Sequence, residues 1–189
     1  MKYFLLFATA FSITIFGNAQ WNSNTSVNLQ VSSLPMSDMQ SLTTSTGRTW
    51  IAFYHENNGN YDMRAQLLDV DGTKLLGADG MLVDNKPSGT ATFVFNICKD
   101  ADDNLIVAYQ DQRSGQLAAV AYKVSQTGTH LWSSSGVVIG PGLAPYPAVL
   151  STGETVVAWI ESTTNTLQIQ KIATNGTLAW STPVSVLVG

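Results

Sequence analysis

Trp50-Ile51-Ala52-Phe53-Tyr54, Leu105-Ile106-Val107-Ala108-Tyr109 and Thr155-Val156-Val157-Ala158-Trp159 are three versions of one apolar pentapeptide that ends in an aromatic ring. Each follows a turn signal, Gly47, Asp102-Asp103-Asn104 or Gly153, and each is followed two residues past its ring by an acid, Glu56, Asp111 or Glu161. The likeness continues downstream. Asp71-Gly72-Thr73, Thr127-Gly128-Thr129 and Asn175-Gly176-Thr177 stand at matching places, and four residues past each glycine come Leu76, Trp132 and Trp180. Gly80-Met81-Leu82-Val83, Gly136-Val137-Val138-Ile139 and Pro183-Val184-Ser185-Val186 complete the unit. The aromatic ends at 54, 109 and 159 set a period of about fifty residues, a length at which tandem repeats build propellers or arrays.

Within one period the chain reads as four short strands rich in β-branched and aromatic residues and bounded by Gly, Asn, Asp or Pro. In the second unit they fall near 91–98, 104–110, 117–124 and 129–139. Past residue 19 no stretch keeps a helical apolar period for ten residues. A four-stranded antiparallel meander repeated in tandem is a β-propeller blade. A β-sandwich also has many short strands, but nothing in it requires a whole four-strand motif to recur with its glycines and rings in place. The fold expected is therefore all-β, a β-propeller-like array of three four-stranded antiparallel blades in an incomplete ring. Asp-Gly and Asn-Gly suit the hairpin after the third strand because they accept positive φ. Leu76, Trp132 and Trp180, with Tyr54, Tyr109 and Trp159, are expected to fill the space between blades.

Composition agrees with this architecture. Of the 189 residues only 12% are charged and 44% are hydrophobic, against about 25% charged in an ordinary domain. Strands held between two neighbouring blades are apolar on both faces, and the turns use Ser, Thr, Asn and Gly instead of charge. The net charge of −4 and a pI near 4.9 give no basic field for nucleic acid or anionic lipid.

The N-terminus carries an address. Met1-Lys2, an uncharged run from Tyr3 to Phe16, and Gly17-Asn18-Ala19 have the form of a secretory signal peptide, residues 1–19, shorter than the roughly 20 apolar residues of a spanning helix. Loss of Lys2 leaves 8 of the 9 basic residues against 13 acids, a net charge of −5 on a chain starting at Gln20. No later apolar run approaches membrane-spanning length, so the mature form is expected off the membrane, secreted or at the cell surface. Cys98, the single cysteine, excludes an intramolecular disulfide and reads as a small apolar strand residue.

The domain division expected is a signal peptide over 1–19, an orphan outer strand over 20–35, and blades over 36–87, 88–140 and 141–189. The orphan strand is inferred from Trp21 to Val31, where Pro35 follows Val31 at the offset by which Pro87 follows Val83. Propellers close with about four to eight blades, and three leave open edges. The expectation is an N-terminal part of a longer protein, or pairing with copies of itself.

At these residues the chain resembles the repeats of secreted bacterial β-propeller proteins, exported repeat proteins of the Bacteroidota type that often end in a sorting domain for type IX secretion. Ala108-Tyr109-Gln110-Asp111-Gln112-Arg113 matches that repeat's turn best, while Asn58 and Thr163 stand where the other units would have the arginine. Other propeller families fit less well. There is no Trp-Asp pair as in WD40 repeats, no Gly-Gly as in kelch, and no sialidase Asp-box or Arg-Ile-Pro; past the leader only Arg48, Arg64 and Arg113 are present.

No catalytic, cofactor or metal residue is assigned. Glu56, Asp111 and Glu161 could pass for glycosidase carboxylates, but a catalytic pair is asymmetric whereas these recur once per unit, which points to a turn-stabilising hydrogen bond. Asp100-Ala101-Asp102-Asp103-Asn104 has the alternating oxygens of a calcium loop without the later Gly and Glu, and reads as a solvated turn. His55 and His130 lack partners for zinc or a triad. Asn24-Thr25-Ser26 and Asn175-Gly176-Thr177 are sequons that read as turns. Strand order places the second-to-third-strand loops and interblade links at one end, where Tyr61, Arg113 and Tyr146 are expected to face a ligand. The function expected is a non-catalytic binding or scaffolding module for an unidentified protein or glycan; the alternative is part of a propeller glycoside hydrolase whose catalytic residues lie in other blades.

Overall fold

The computed structural model describes Asn24, residues 26–88 and residues 94–186, and the expected signal peptide lies outside them. Every regular element in the described residues is a strand. Three four-stranded antiparallel sheets follow one another along the chain. The first holds β1 (Met36–Thr43), β2 (Thr49–Asn57), β3 (Asn60–Leu68) and β4 (Met81–Asp84). The second holds β5 (Phe95–Lys99), β6 (Leu105–Asp111), β7 (Ala118–Val124) and β8 (Val137–Pro141), and the third β9 (Leu143–Val149), β10 (Thr155–Ile160), β11 (Leu167–Ile172) and β12 (Val184–Val186). Each is a meander whose neighbours in sequence are neighbours in the sheet. The inner strand β9 lies against β5 and β6, and β1 lies against β5, so the sheets stack face to face as blades. The fold is the propeller-like array of three blades.

Blade 2 shows why the strands lack polar alternation. Every residue of β6 and β7 is buried, because one face meets blade 1 and the other meets blade 3. On β6, Leu105, Val107 and Tyr109 enter the core shared with blade 1, whereas Ile106 and Ala108 enter the core shared with blade 3. Strands covered on both faces read as continuous apolar runs.

Blade 1 departs from the sequence alignment by one residue. The inner strands pair Gln40 with Ala52, Asn96 with Ala108 and Tyr146 with Ala158, so the three alanines are equivalent. Tyr109 and Trp159 then correspond to Phe53, not to Tyr54. A one-residue slip moves a side chain to the opposite face of its sheet. Phe53 accordingly faces back, away from blade 2, with Ile51 and Leu68, while Trp50, Ala52 and Tyr54 face forward into the core shared with blade 2. The acid of units two and three corresponds to His55, and Glu56 is an exposed residue outside the repeat.

Two further expectations are corrected. The fourth strand of the second unit begins at Val137 rather than near 129, because His130 makes only an isolated bridge with Val124. The segment 20–35 is not an outer strand in its described part: it lies on the backward face of blade 1 rather than along a sheet edge. Val31 packs on Ile51, Phe53 and Leu68, and the Asp79 carboxylate accepts from Ser32 Oγ at 3.0 Å and from Ser33 N and Oγ at 2.7 Å each.

The plugs Leu76 and Trp132 act as expected, whereas Trp180 is half-buried with no described blade over it. Leu76 lies over the Gly128 hairpin, where a Cβ would come within 3.3 Å of its Cδ2. Trp132 lies over the Gly176 hairpin, where a Cβ would approach the indole to 2.8 Å, and its Nε1 donates to Thr174 O at 3.1 Å. Only glycine admits that approach.

Candidate binding face

One end of the blades carries the hairpins β2–β3, β6–β7 and β10–β11 and the links between blades. Each hairpin is closed by a different device. In blade 1, Asn58 and Gly59 take φ of 52° and 81°, the two-residue turn that matches strand twist. In blade 3, Glu161 accepts from Thr163 N at 3.0 Å and from Thr164 N and Oγ1 at 2.6 Å each. The Thr164 hydroxyl above all, with these backbone donors, lowers its carboxyl pKa to about 2.

In blade 2 the loop is built on Arg113. Its Nε donates to Asp111 Oδ2 at 2.6 Å, Nη2 donates to Tyr122 OH at 3.0 Å and lies 3.6 Å from Asp84 Oδ2, and Nη1 donates to Ser135 O. Tyr109 OH donates to Asp84 Oδ2 at 2.6 Å, and Lys86 Nζ stands 3.7 Å from the same carboxylate. Asp84 comes from the last strand of blade 1, so the network spans the seam. Asp84 and Asp111 are buried and Arg113 retains 13% of its side-chain exposure, which makes this a closed set of matched donors and acceptors. Burial, with Asp84 alongside, pushes the phenols of Tyr109 and Tyr122 well up, so both remain hydroxyl donors.

The residues expected to meet a ligand are therefore placed differently. Arg113 is an interblade lock. Tyr61 is half-buried with its ring 6.3 Å from that of Tyr54, edge to face. Tyr146 sits within β9, opposite Ala158, and projects forward from blade 3. Apart from the exposed Glu56, what the loops present is a neutral polar surface: Asn58 in blade 1, Ser114 and Gln116 in blade 2, and Ser162 to Asn165 in blade 3.

The turn at Asp100–Asn104, at the other end, is a clasp rather than a solvated loop. Asp100 accepts from Asn104 N at 2.8 Å and pairs with Lys123 Nζ at 2.7 Å. Asp103 accepts from Ser45 N of blade 1 at 2.9 Å and pairs with Lys99, and its carbonyl accepts from Trp50 Nε1 at 2.9 Å. Asp103 holds φ of 61° where the other blades have Gly47 and Gly153; these bonds across the seam explain a non-glycine residue there. Among the described residues no group of three or more His, Cys, Asp or Glu is arranged to hold a metal ion. His55 Nδ1 meets Pro35 O and His130 Nε2 meets Val83 O, each at 3.0 Å. Asn175 Oδ1 accepts from Thr177 N at 3.1 Å as a turn residue. Burial pushes the Cys98 thiol up to about 12, which keeps it protonated and unreactive.

The signal that would have exposed the lock is the acid-x-Arg spacing of Asp111 and Arg113 just after the second strand, which the first and third units lack at that place. Its partner Asp84 is 29 residues away from Arg113, in another blade, and nothing local marks it.

No family model matches the chain, and no curated protein sequence matches it. Among solved structures, a fucose lectin from Kordia zhangzhouensis in complex with methyl-fucoside aligns with 80% of this chain and 99% of its own, at 12% identity and a TM-score of 0.45. An alpha-L-arabinofuranosidase from Clostridium thermocellum aligns with 75% of this chain and 49% of its own, at 9% identity and a TM-score of 0.39.

Proposed function

We propose that the chain is a non-catalytic binding and scaffolding module of a secreted or cell-surface protein, and that its loop face takes a neutral, hydroxyl-rich ligand of the glycan class. The observation that carries this is a division of labour. The carboxylates Asp84, Asp111 and Glu161 of that face are each bonded within the protein, and apart from Glu56 its exposed groups, at Asn58, Ser114, Gln116 and Ser162, are amides and hydroxyls. A glycosidase would need two carboxylates turned toward a sugar ring. Amides and hydroxyls instead exchange hydrogen bonds with water for hydrogen bonds with a ligand at modest net gain, so several loops must act together. The leader-like residues 1–19 support export.

Binding to an immobilised glycan panel tests the proposal. The protein is expected to retain a subset of glycans, and the combined variant Asn58→Gly, Ser114→Ala, Gln116→Ala, Ser162→Ala is expected to bind at least tenfold more weakly with an unchanged melting temperature. Retention of no glycan, or equal retention by the variant, would overturn it.

A further inference from the structure

The three blades share an apolar stripe on their backward faces. Ile51, Phe53 and Leu68 of blade 1 correspond to Val107, Tyr109 and Val124 of blade 2 and to Val157, Trp159 and Ile172 of blade 3. In blades 2 and 3 the stripe is buried by the forward face of the blade before it. In blade 1 it is buried as deeply, with Phe53 and Leu68 at 0% and Ile51 at 5% exposure, and the side chain that packs on it from outside the sheet is Val31. The chain's own segment thus stands where a blade stands in the two seams.

Residues particular to the first unit hold that segment. Asp79, whose carboxylate accepts from Ser32 Oγ and from Ser33 N and Oγ, corresponds to the uncharged Ser135 and Thr182 of the other units. Ser32 is buried, and its Oγ accepts from Leu34 N at 3.1 Å, which turns the chain toward β1. His55 Nδ1 meets Pro35 O at 3.0 Å, at the place where blades 2 and 3 carry Asp111 and Glu161. The rest of the face is unsuited to a second sheet. Asp62 and Arg64 occupy the places of Ala118 and Val120, which blade 2 buries against blade 1. The Arg64 guanidinium donates to the carbonyls of Asp79 and Gly80 at 3.1 and 3.0 Å, and a sheet laid over it would strip that charge of water.

We propose that residues 31–35 are an end cap, a strap that closes the backward face of blade 1 in place of a blade and keeps other sheets from pairing with it. A terminal unit in an array of repeats needs such closure, because an apolar face left open recruits other chains. The strap has two anchors of different kinds, apolar burial at Val31 and hydrogen bonds to Asp79. Loss of one loosens it, and loss of both releases it.

The test uses the full 189-residue chain with Val31→Asp and Asp79→Ala, singly and together. Circular dichroism is expected to keep its strand signal in all three variants, since the four strands of blade 1 pair with one another without the strap. Fluorescence of anilinonaphthalene sulfonate, a dye that reports exposed apolar surface, is expected to rise at least threefold over wild type in the double variant and less in each single one. The Ser33 amide is expected to exchange its hydrogen at least tenfold more slowly in the wild type than in Asp79→Ala. A folded double variant with wild-type fluorescence would overturn the proposal, as would equal exchange of the Ser33 amide in the two proteins. So would a double variant that loses its strand signal, which would make the segment a part of the blade rather than its cap.

Discussion

The seam between blades 1 and 2 and the seam between blades 2 and 3 join equivalent sheets by different means. The first is a chain of rings with charges at its ends: Tyr54 meets Phe95 at 5.2 Å and Tyr109 at 6.2 Å, Tyr109 stacks on Tyr122 at 6.0 Å, and Asp84, Asp111 and Arg113 close one rim while Asp103, Lys99 and Ser45 close the other. The second seam sets two indoles, Trp132 and Trp159, among small residues. Trp159 lies in a core with Ala108, Ala119 and Ala121, and a Cβ on Gly140 would stand 2.8 Å from its Cζ2. Trp159 Nε1 donates to Pro141 O at 3.1 Å. One repeat thus supports two solutions to the same burial problem, provided that volume and polar partners are matched across each seam.

The largest effects are expected where each solution is broken at its centre. Trp159→Ala leaves a cavity that alanines and glycines cannot fill, and should lower stability by about 3–5 kcal/mol in guanidinium titration. Arg113→Ala should lose about 3–5 kcal/mol as well, but because Asp111 remains buried without a counter-charge while Asp84 keeps only Lys86. The two causes separate in a second round. Arg113→Met combined with Asp111→Asn should recover at least half of the Arg113→Ala loss, since the stranded charge is removed together with its partner. Recovery of none would show the rim to be packing rather than electrostatics.

Tyr109→Phe keeps the ring stack and deletes one donor to a charged acceptor, for an expected loss of about 1.5 kcal/mol. Asp103 should give the first seam an acid limb. Burial alone would raise its carboxyl, but the Lys99 ammonium and the Ser45 donors outweigh it and hold the pKa at about 2, below the ordinary 3.8. A depressed pKa contributes stability that is complete above about pH 4 and is lost as pH falls toward 2. Melting temperatures should fall over that window in the wild type and fall less steeply in Asp103→Asn, which starts lower at pH 7.

The smallest effect is expected on the forward side of blade 3. Trp132→Ala should lose about 3–5 kcal/mol, whereas Trp180→Ala should lose less than about 1 kcal/mol because no described blade covers that indole.

Much of this fold was legible because the hairpin glycines and the plugs that follow them are spaced by sterics that do not depend on which face a strand presents. The register of β2 was not legible. Trp50 to Tyr54 is apolar at all five positions because both faces are buried, so the two-residue alternation that reports a strand's facing is absent. Two adjacent rings, Phe53 and Tyr54, compete as the match to Tyr109; the recurring Ala-aromatic pair at Ala52, Ala108 and Ala158 favours Phe53, and the pairing of Ala52 with Gln40 decides it. The loop face was legible as a location but not as a set of residues. Arg113 looks available in sequence because its buried partner Asp84 belongs to the preceding blade. Tyr146 looked like a loop residue because the Pro145-Tyr146-Pro147 segment disguises a strand that tolerates proline on the side away from its ladder.

The central claim is that blade 1 faces blade 2 with Tyr54 and that blade 2 answers with Tyr109, which requires the two to be non-equivalent in the repeat. Nuclear Overhauser contacts between the tyrosine rings test this directly. The structure predicts cross-peaks between the Tyr54 and Tyr109 ring protons, together with Phe53 to Val31. Cross-peaks from Tyr54 to Val31, with none between Tyr54 and Tyr109, would contradict it.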